Sequence, residues 1–154
     1  KERRIMFEIE LKNPNEMVIK AKDRVVNINV AQCTVEAGLA VGPLVGAGEF
    51  EIGEIIINAI ALKNNKVMYR IDIDGIKIGL AGEGVQTEEL DELGPIDILG
   101  ATDHKMVGII EPKILIPMGN MDFAEVKASV NVEKKLKIKN ENSLPATLTI
   151  YKLD

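Results

Sequence analysis

The sequence has 154 residues, 46% hydrophobic, 28% charged and 3% aromatic, with a net charge of −5 at pH 7. That acidic balance argues against nucleic acid or an anionic membrane as the main partner, and no apolar run approaches the roughly 18–20 residues needed to cross a bilayer. One Cys and one His exclude an internal disulfide framework, a CxxC site and a His-rich metal cluster.

Residues 4–11 include IMFEIEL, in which Phe7, Ile9 and Leu11 alternate with Met6, Glu8 and Glu10. That two-residue period predicts a half-buried strand. Asn13-Pro14-Asn15 is a turn, and residues 17–22 and 24–30 are two further strands. Residues 31–48 are small and Gly-rich, which predicts a loop with one short strand at most. Strands follow at 49–52 and 54–62, then a polar turn at 63–66. Residues 67–73 and 76–80 flank Asp74-Gly75, a strong hairpin signal. Val67, Tyr69, Ile71 and Ile73 share one face of that hairpin, and Arg70 and Asp72 the other.

The second half alternates. Residues 87–93 (TEELDEL) predict a helix with Thr87 as N-cap and Gly94-Pro95 as its stop. A buried strand follows at 96–99. A helix is predicted over 102–111, ended by Pro112, since the residue before Pro is pushed out of the α region. A strand at 113–118, a short helix at 122–129 and strands at 136–139 and 146–153 complete the chain. This sums to about eleven strands and three helices, a mixed α/β (α+β) layered fold. Aliphatic Ile and Val must build its core, because aromatic side chains are scarce. At this length about 68–70% of the unfolded surface can be buried, so residues 1–154 are read as one domain. The start at Lys1 rather than Met predicts that a few residues precede it. Charged Lys1 to Arg4 carry no signal-peptide pattern, so a soluble cytoplasmic protein is expected.

Several segments, in order, resemble one family. Gly46 to Ile52 resembles a GPGEYEI segment, and residues 67–78 the strand–Asp-Gly–strand hairpin that follows it. Leu80-Ala81-Gly82-Glu83-Gly84 resembles an LGDLG turn, and residues 87–99 the helix and strand after it. Residues 110–118 (IEPKILIPM) resemble a strand that ends in IPMH. The chain is similar to the metallo-β-lactamase superfamily, in its single-domain, lactonase-like branch of metal-dependent hydrolases. The resemblance implies a two-sheet β-sandwich with outer helices (αββα), here shortened and reduced in helices. It also implies a zinc-type centre that turns a bound water into hydroxide near neutral pH.

The implied ligands are missing at the matching positions. The HxHxDH segment falls near residues 31–36, which hold neither His nor Asp. A later His falls at residues 62–64 (Leu-Lys-Asn), and the last at Gly119, followed by Asn120. Glu83 stands where the family has a bridging Asp, and one carboxylate does not hold a catalytic zinc, which needs three protein ligands. The expected site is therefore none: no catalytic residue, no cofactor and no metal. Glu83, Asp103 and His104 are weak metal candidates, and with Glu36 they form the rebuilt zinc site of an alternative, hydrolytic reading.

Each candidate also has a plainer role. Glu83 is a solvated turn residue between glycines. His104 is an exposed or capping residue at a helix start, where Asp103 beside it faces another direction. Cys33 is a small buried hydrophobe rather than a nucleophile paired with His104. Lys134, Lys135, Lys137 and Lys139 form a solvated face that protects an edge. The reading that results is a non-catalytic protein of this fold acting by self-association or partner binding. A homo-oligomer is expected because lost outer helices would leave apolar sheet surface or strand edges to cover.

Overall fold

The computed structural model describes residues 5–154; Lys1 to Arg4, with the predicted start of the first strand and the charged residues read as carrying no signal-peptide pattern, lie outside the described residues. Fourteen strands form two sheets among the described residues. The six-stranded sheet holds β1 (Phe7–Asn13), β2 (Glu16–Ala21), β3 (Arg24–Asn29), β4 (Thr34–Glu36), β5 (Leu44–Val45) and β13 (Leu136–Ile138), in the order β13-β1-β2-β3-β4-β5. The eight-stranded sheet holds β6 (Gly48–Ile52), β7 (Ile55–Ala61), β8 (Val67–Ile73), β9 (Ile76–Ala81), β10 (Ile98–Ala101), β11 (Ile114–Pro117), β12 (Ser129–Glu133) and β14 (Thr149–Leu153). Its order is β12-β14-β11-β10-β9-β8-β7-β6.

Alternation along the strands decides where the core lies. Phe7, Ile9, Met17 and Ile19 from one sheet meet Ile57, Ile71, Ile78 and Ile98 from the other in the apolar layer between the sheets. The residues between them in the eight-stranded sheet, Met68, Leu99, Leu115 and Ile150, face outward into a second layer. The α-helix α1 (Lys105–Ile110) and the 3-10 segment Thr87–Leu93 roof that layer with Met106, Val107, Leu90 and Leu93. Strands β9, β10, β11, β14 and β12 run parallel and β6 to β9 antiparallel. Burial on both faces explains why 96–99 and 113–118 read as near-continuous apolar runs.

The outer face of the six-stranded sheet is charged. Lys20 pairs with Glu10 at 3.3 Å and Lys135 with Glu8 at 3.4 Å, and Lys137 lies opposite Glu8 in register. Val18 and the exposed Val25 lie among these charges, so little of the apolar sheet surface expected from missing outer helices is present on that face.

The Asp74-Gly75 hairpin forms between β8 and β9, with φ of 48° and 90° at the two turn residues, as a type I′ geometry requires. Other elements differ from expectation. Residues 87–93 form a 3-10 segment capped by Gln86 rather than an α-helix capped by Thr87. The helix predicted over 102–111 is shortened to α1, because Asp103 Oδ1 accepts the Lys105 amide at 3.0 Å and Glu111 turns left-handed at φ 55°. No helix spans 122–129. Asp122 Oδ1 accepts the Ala124 amide at 3.0 Å and the Val126 amide donates to the Phe123 carbonyl at 3.0 Å, which makes isolated turns, and Ser129 opens β12. Residues 31–48 hold two short strands, β4 and β5, rather than one at most. No described helix is long and apolar enough to cross a membrane.

Candidate functional site

Three parallel strands, β9, β10 and β11, end side by side, and the crevice outside such carboxyl ends is where loops converge. Glu83 follows β9, Thr102 follows β10, and Gly119 and Asn120 follow β11. The opposite sheet contributes Asn15 from the β1–β2 turn and Ala31 from just beyond β3. Lys66, immediately before β8, completes a rim around a cavity of about 220 Å³.

The floor is stitched across the sheets. The Gly119 amide donates to the Pro14 carbonyl at 2.8 Å, and the Val30 amide to the Asn15 carbonyl at 2.9 Å. Two glycines permit this closeness. A Cβ on Gly82 would meet the Val30 carbonyl oxygen at 3.1 Å. Gly119 has φ +60°, and a Cβ there would meet Thr102 Cγ2 at 3.1 Å.

The rim is held by side chains from the 3-10 segment and the turns. Glu89 accepts the Gln86 amide and the Lys63 amide, both at 2.9 Å. Those bonds, the Gln86 amide first and the Lys63 amide second, hold its carboxyl below the ordinary value of 4.5. Asn64 accepts the Lys66 amide at 2.9 Å and donates to the Gly84 carbonyl at 3.4 Å, joining the Lys66 turn to the Glu83 turn.

Inside, the crevice is polar and mixed in sign. Glu83 and Lys66 are exposed, and neither makes an ion pair among the described residues. Thr102 Oγ1 is buried without a hydrogen-bond partner among the described residues. Across Pro14 and Gly119 the crevice adjoins a more apolar hollow of about 370 Å³ lined by Met121 and Phe123.

Of the positions matched to the family's ligand segments, Ala31, Glu83, Gly119 and Asn120 line this crevice, while residues 32–36 and 62–64 do not. The other candidates do not join them. Glu36 lines a separate hollow with Asp23 and Arg24. Asp103 and His104 lie at the start of α1, half exposed, with Asp103 Oδ1 3.8 Å from His104 Nδ1. Cys33 Sγ lies 3.9 Å from the Val30 and Val67 carbonyls, with no hydrogen bond to His104. Nearby, burial first and Cys33 second push the Tyr69 phenol well above its ordinary value. Sequence reasoning missed Asn15, Lys66 and Thr102, whose only sequence signal is their position at strand ends.

A zinc centre does not fit this donor set. Among the described residues no three His, Cys, Asp or Glu side chains converge as a metal group. The crevice offers one carboxylate, two amides and a hydroxyl, and the Lys66 ammonium opposes a cation.

No protein-family model matches the sequence, and no curated protein matches it. Among solved structures, the chain is similar to one from Thermotoga maritima named as a Zn-dependent hydrolase of the metallo-β-lactamase superfamily. The TM-score is 0.67 at 13% identity, over 96% of this chain and 100% of the other. The fold is thus the metallo-β-lactamase-like sandwich of two sheets with few helices.

Proposed function

We propose that this chain is a non-catalytic protein of the metallo-β-lactamase-like fold, which acts through its surface by self-association or partner binding. The observation behind this reading is the crevice at the ends of β9, β10 and β11. It lies where strand ends converge but gathers one carboxylate and one lysine, whereas a catalytic zinc needs three protein ligands.

A second reading is a metal-dependent hydrolase with a rebuilt zinc site. Its support is the opening of Glu83 into the crevice and the zinc dependence in the name of the Thermotoga protein. Elemental analysis of protein purified without chelators, followed by lactone and phosphodiester hydrolysis assays, separates the two. The non-catalytic reading expects substoichiometric metal and no turnover. Stoichiometric zinc with zinc-dependent turnover overturns it.

A further inference from the structure

We propose that β12 is a self-complementary edge, through which two copies of this chain pair antiparallel about a two-fold axis at Val130. The proposal deepens the self-association part of the proposed function and rests on it.

Among the described residues strand β12 pairs only with β14 and ends the eight-stranded sheet. All five of its residues are exposed, including Val130 at 45% and Val132 at 60%. The Asp154 amide donates to the Glu133 carbonyl at 3.0 Å. Peptide groups alternate in direction along a strand, so the odd-numbered residues turn theirs toward β14. Val130 and Val132 turn theirs to the open edge, ready for another strand.

The sequence chooses the partner and the register. With Val130 opposite its own copy, Ser129 falls opposite Asn131. Lys127 and Ala128 lie just before β12, with a bend at Ala128, and when pairing extends the strand by these two residues Ala128 falls opposite Val132 and Lys127 opposite Glu133, each twice by symmetry. Apolar residues meet apolar residues on one face, beside Ile150 in register with Val130. That continues the outer apolar layer from one copy into the next. Opposite charges meet on the other face. A shift to a centre at Asn131 would set Lys127 against Lys135.

The other edges lack this property. Self-pairing of β6 sets Glu49 against Glu51, β13 presents Lys137 between Lys135 and Lys139, and β5 has only two residues. Like charges opposite one another disfavour such pairs. An isologous contact of this kind closes on itself and does not propagate. It is smaller than a standard interface of roughly 1,600 Å², so the dimer depends on concentration.

Sedimentation velocity over a concentration series tests this on the full chain. The wild type is expected to shift from monomer to dimer with rising concentration, and Val130→Lys to stay monomeric. Lys127→Glu and Glu133→Lys are each expected to weaken the dimer about tenfold, and the double swap to restore it. Circular dichroism melts of these surface variants confirm folding. Association that survives Val130→Lys overturns the β12 interface while leaving self-association in place. A monomer at every concentration overturns both. A double swap no better than the singles overturns the register. Metal content and turnover do not enter these readouts, so failure of the non-catalytic reading is seen separately.

Discussion

The Glu89 carboxylate accepts the Lys63 amide at 2.9 Å, joining residues 26 apart in sequence. Its other oxygen accepts the Gln86 amide at the start of the 3-10 segment. One side chain thus fixes both the segment that roofs the outer core and the turn that carries Lys66 to the crevice.

Both bonds require the ionised carboxylate, so the folded-state pKa lies below the ordinary 4.5. The linked stability is present above that value and is lost as pH falls through the lowered folded value. Thermal melts should show the wild type losing stability as pH falls below the ordinary value. Glu89→Gln should melt lower at neutral pH and lose part of that slope. An unchanged slope in the variant would remove Glu89 as its source.

Asp97 links three strands. Its carboxylate accepts the Lys77 amide at 2.9 Å, its own amide donates to the Lys77 carbonyl at 2.8 Å, and its carbonyl accepts Lys113 and Ile114 amides at 2.9 and 3.0 Å. Only the first bond belongs to the side chain. Asp97→Ala is therefore expected to cost about 1–2 kcal/mol in urea denaturation, with Asp97→Asn recovering part of it. A neutral Ala variant would count against the bond.

At Gly119 the backbone has φ +60° and Thr102 leaves little room. Gly119→Ala should destabilise by about 1–2 kcal/mol, as expected for a side chain forced into the left-handed region. Gly108 is a control, since beyond its chain neighbours and its own helix backbone no heavy atom lies within 4 Å of a Cβ there. Gly108→Ala should be neutral or slightly stabilising in helix α1.

The crevice donor set gives a metal prediction. Differential scanning fluorimetry should show the same melting temperature with EDTA and with excess zinc. A ligand that binds only the folded state raises the midpoint, so a zinc-dependent rise would mean that a site assembles.

Much of the sandwich was legible because its cause is local. Asp74-Gly75 states its turn in two residues, and Phe7 and Ile9 state their face by alternation. The strand ends around Glu83 and Gly119 were legible through the family resemblance. What escaped the sequence depends on tertiary partners. Gln86 caps the 3-10 segment because Glu89 reaches back to it, whereas Thr87 has the better capping side chain. Residues 122–129 begin with an Asp and look like a helix start, but their hydrogen bonds close turns instead. Lys66 and Thr102 have no motif, and only the meeting of strand ends brings them together.

The pairing of β1 with β13 sets Phe7 opposite Ile138. Strand β1, early in the chain order, thus waits for β13, at residues 136–138, before its outer edge is closed. Contacts of such sequence separation slow folding, because loop entropy is lost before they form. The nascent chain must meanwhile carry Phe7 and Ile9 on a provisional edge. Until β13 arrives, that edge is open to mispairing.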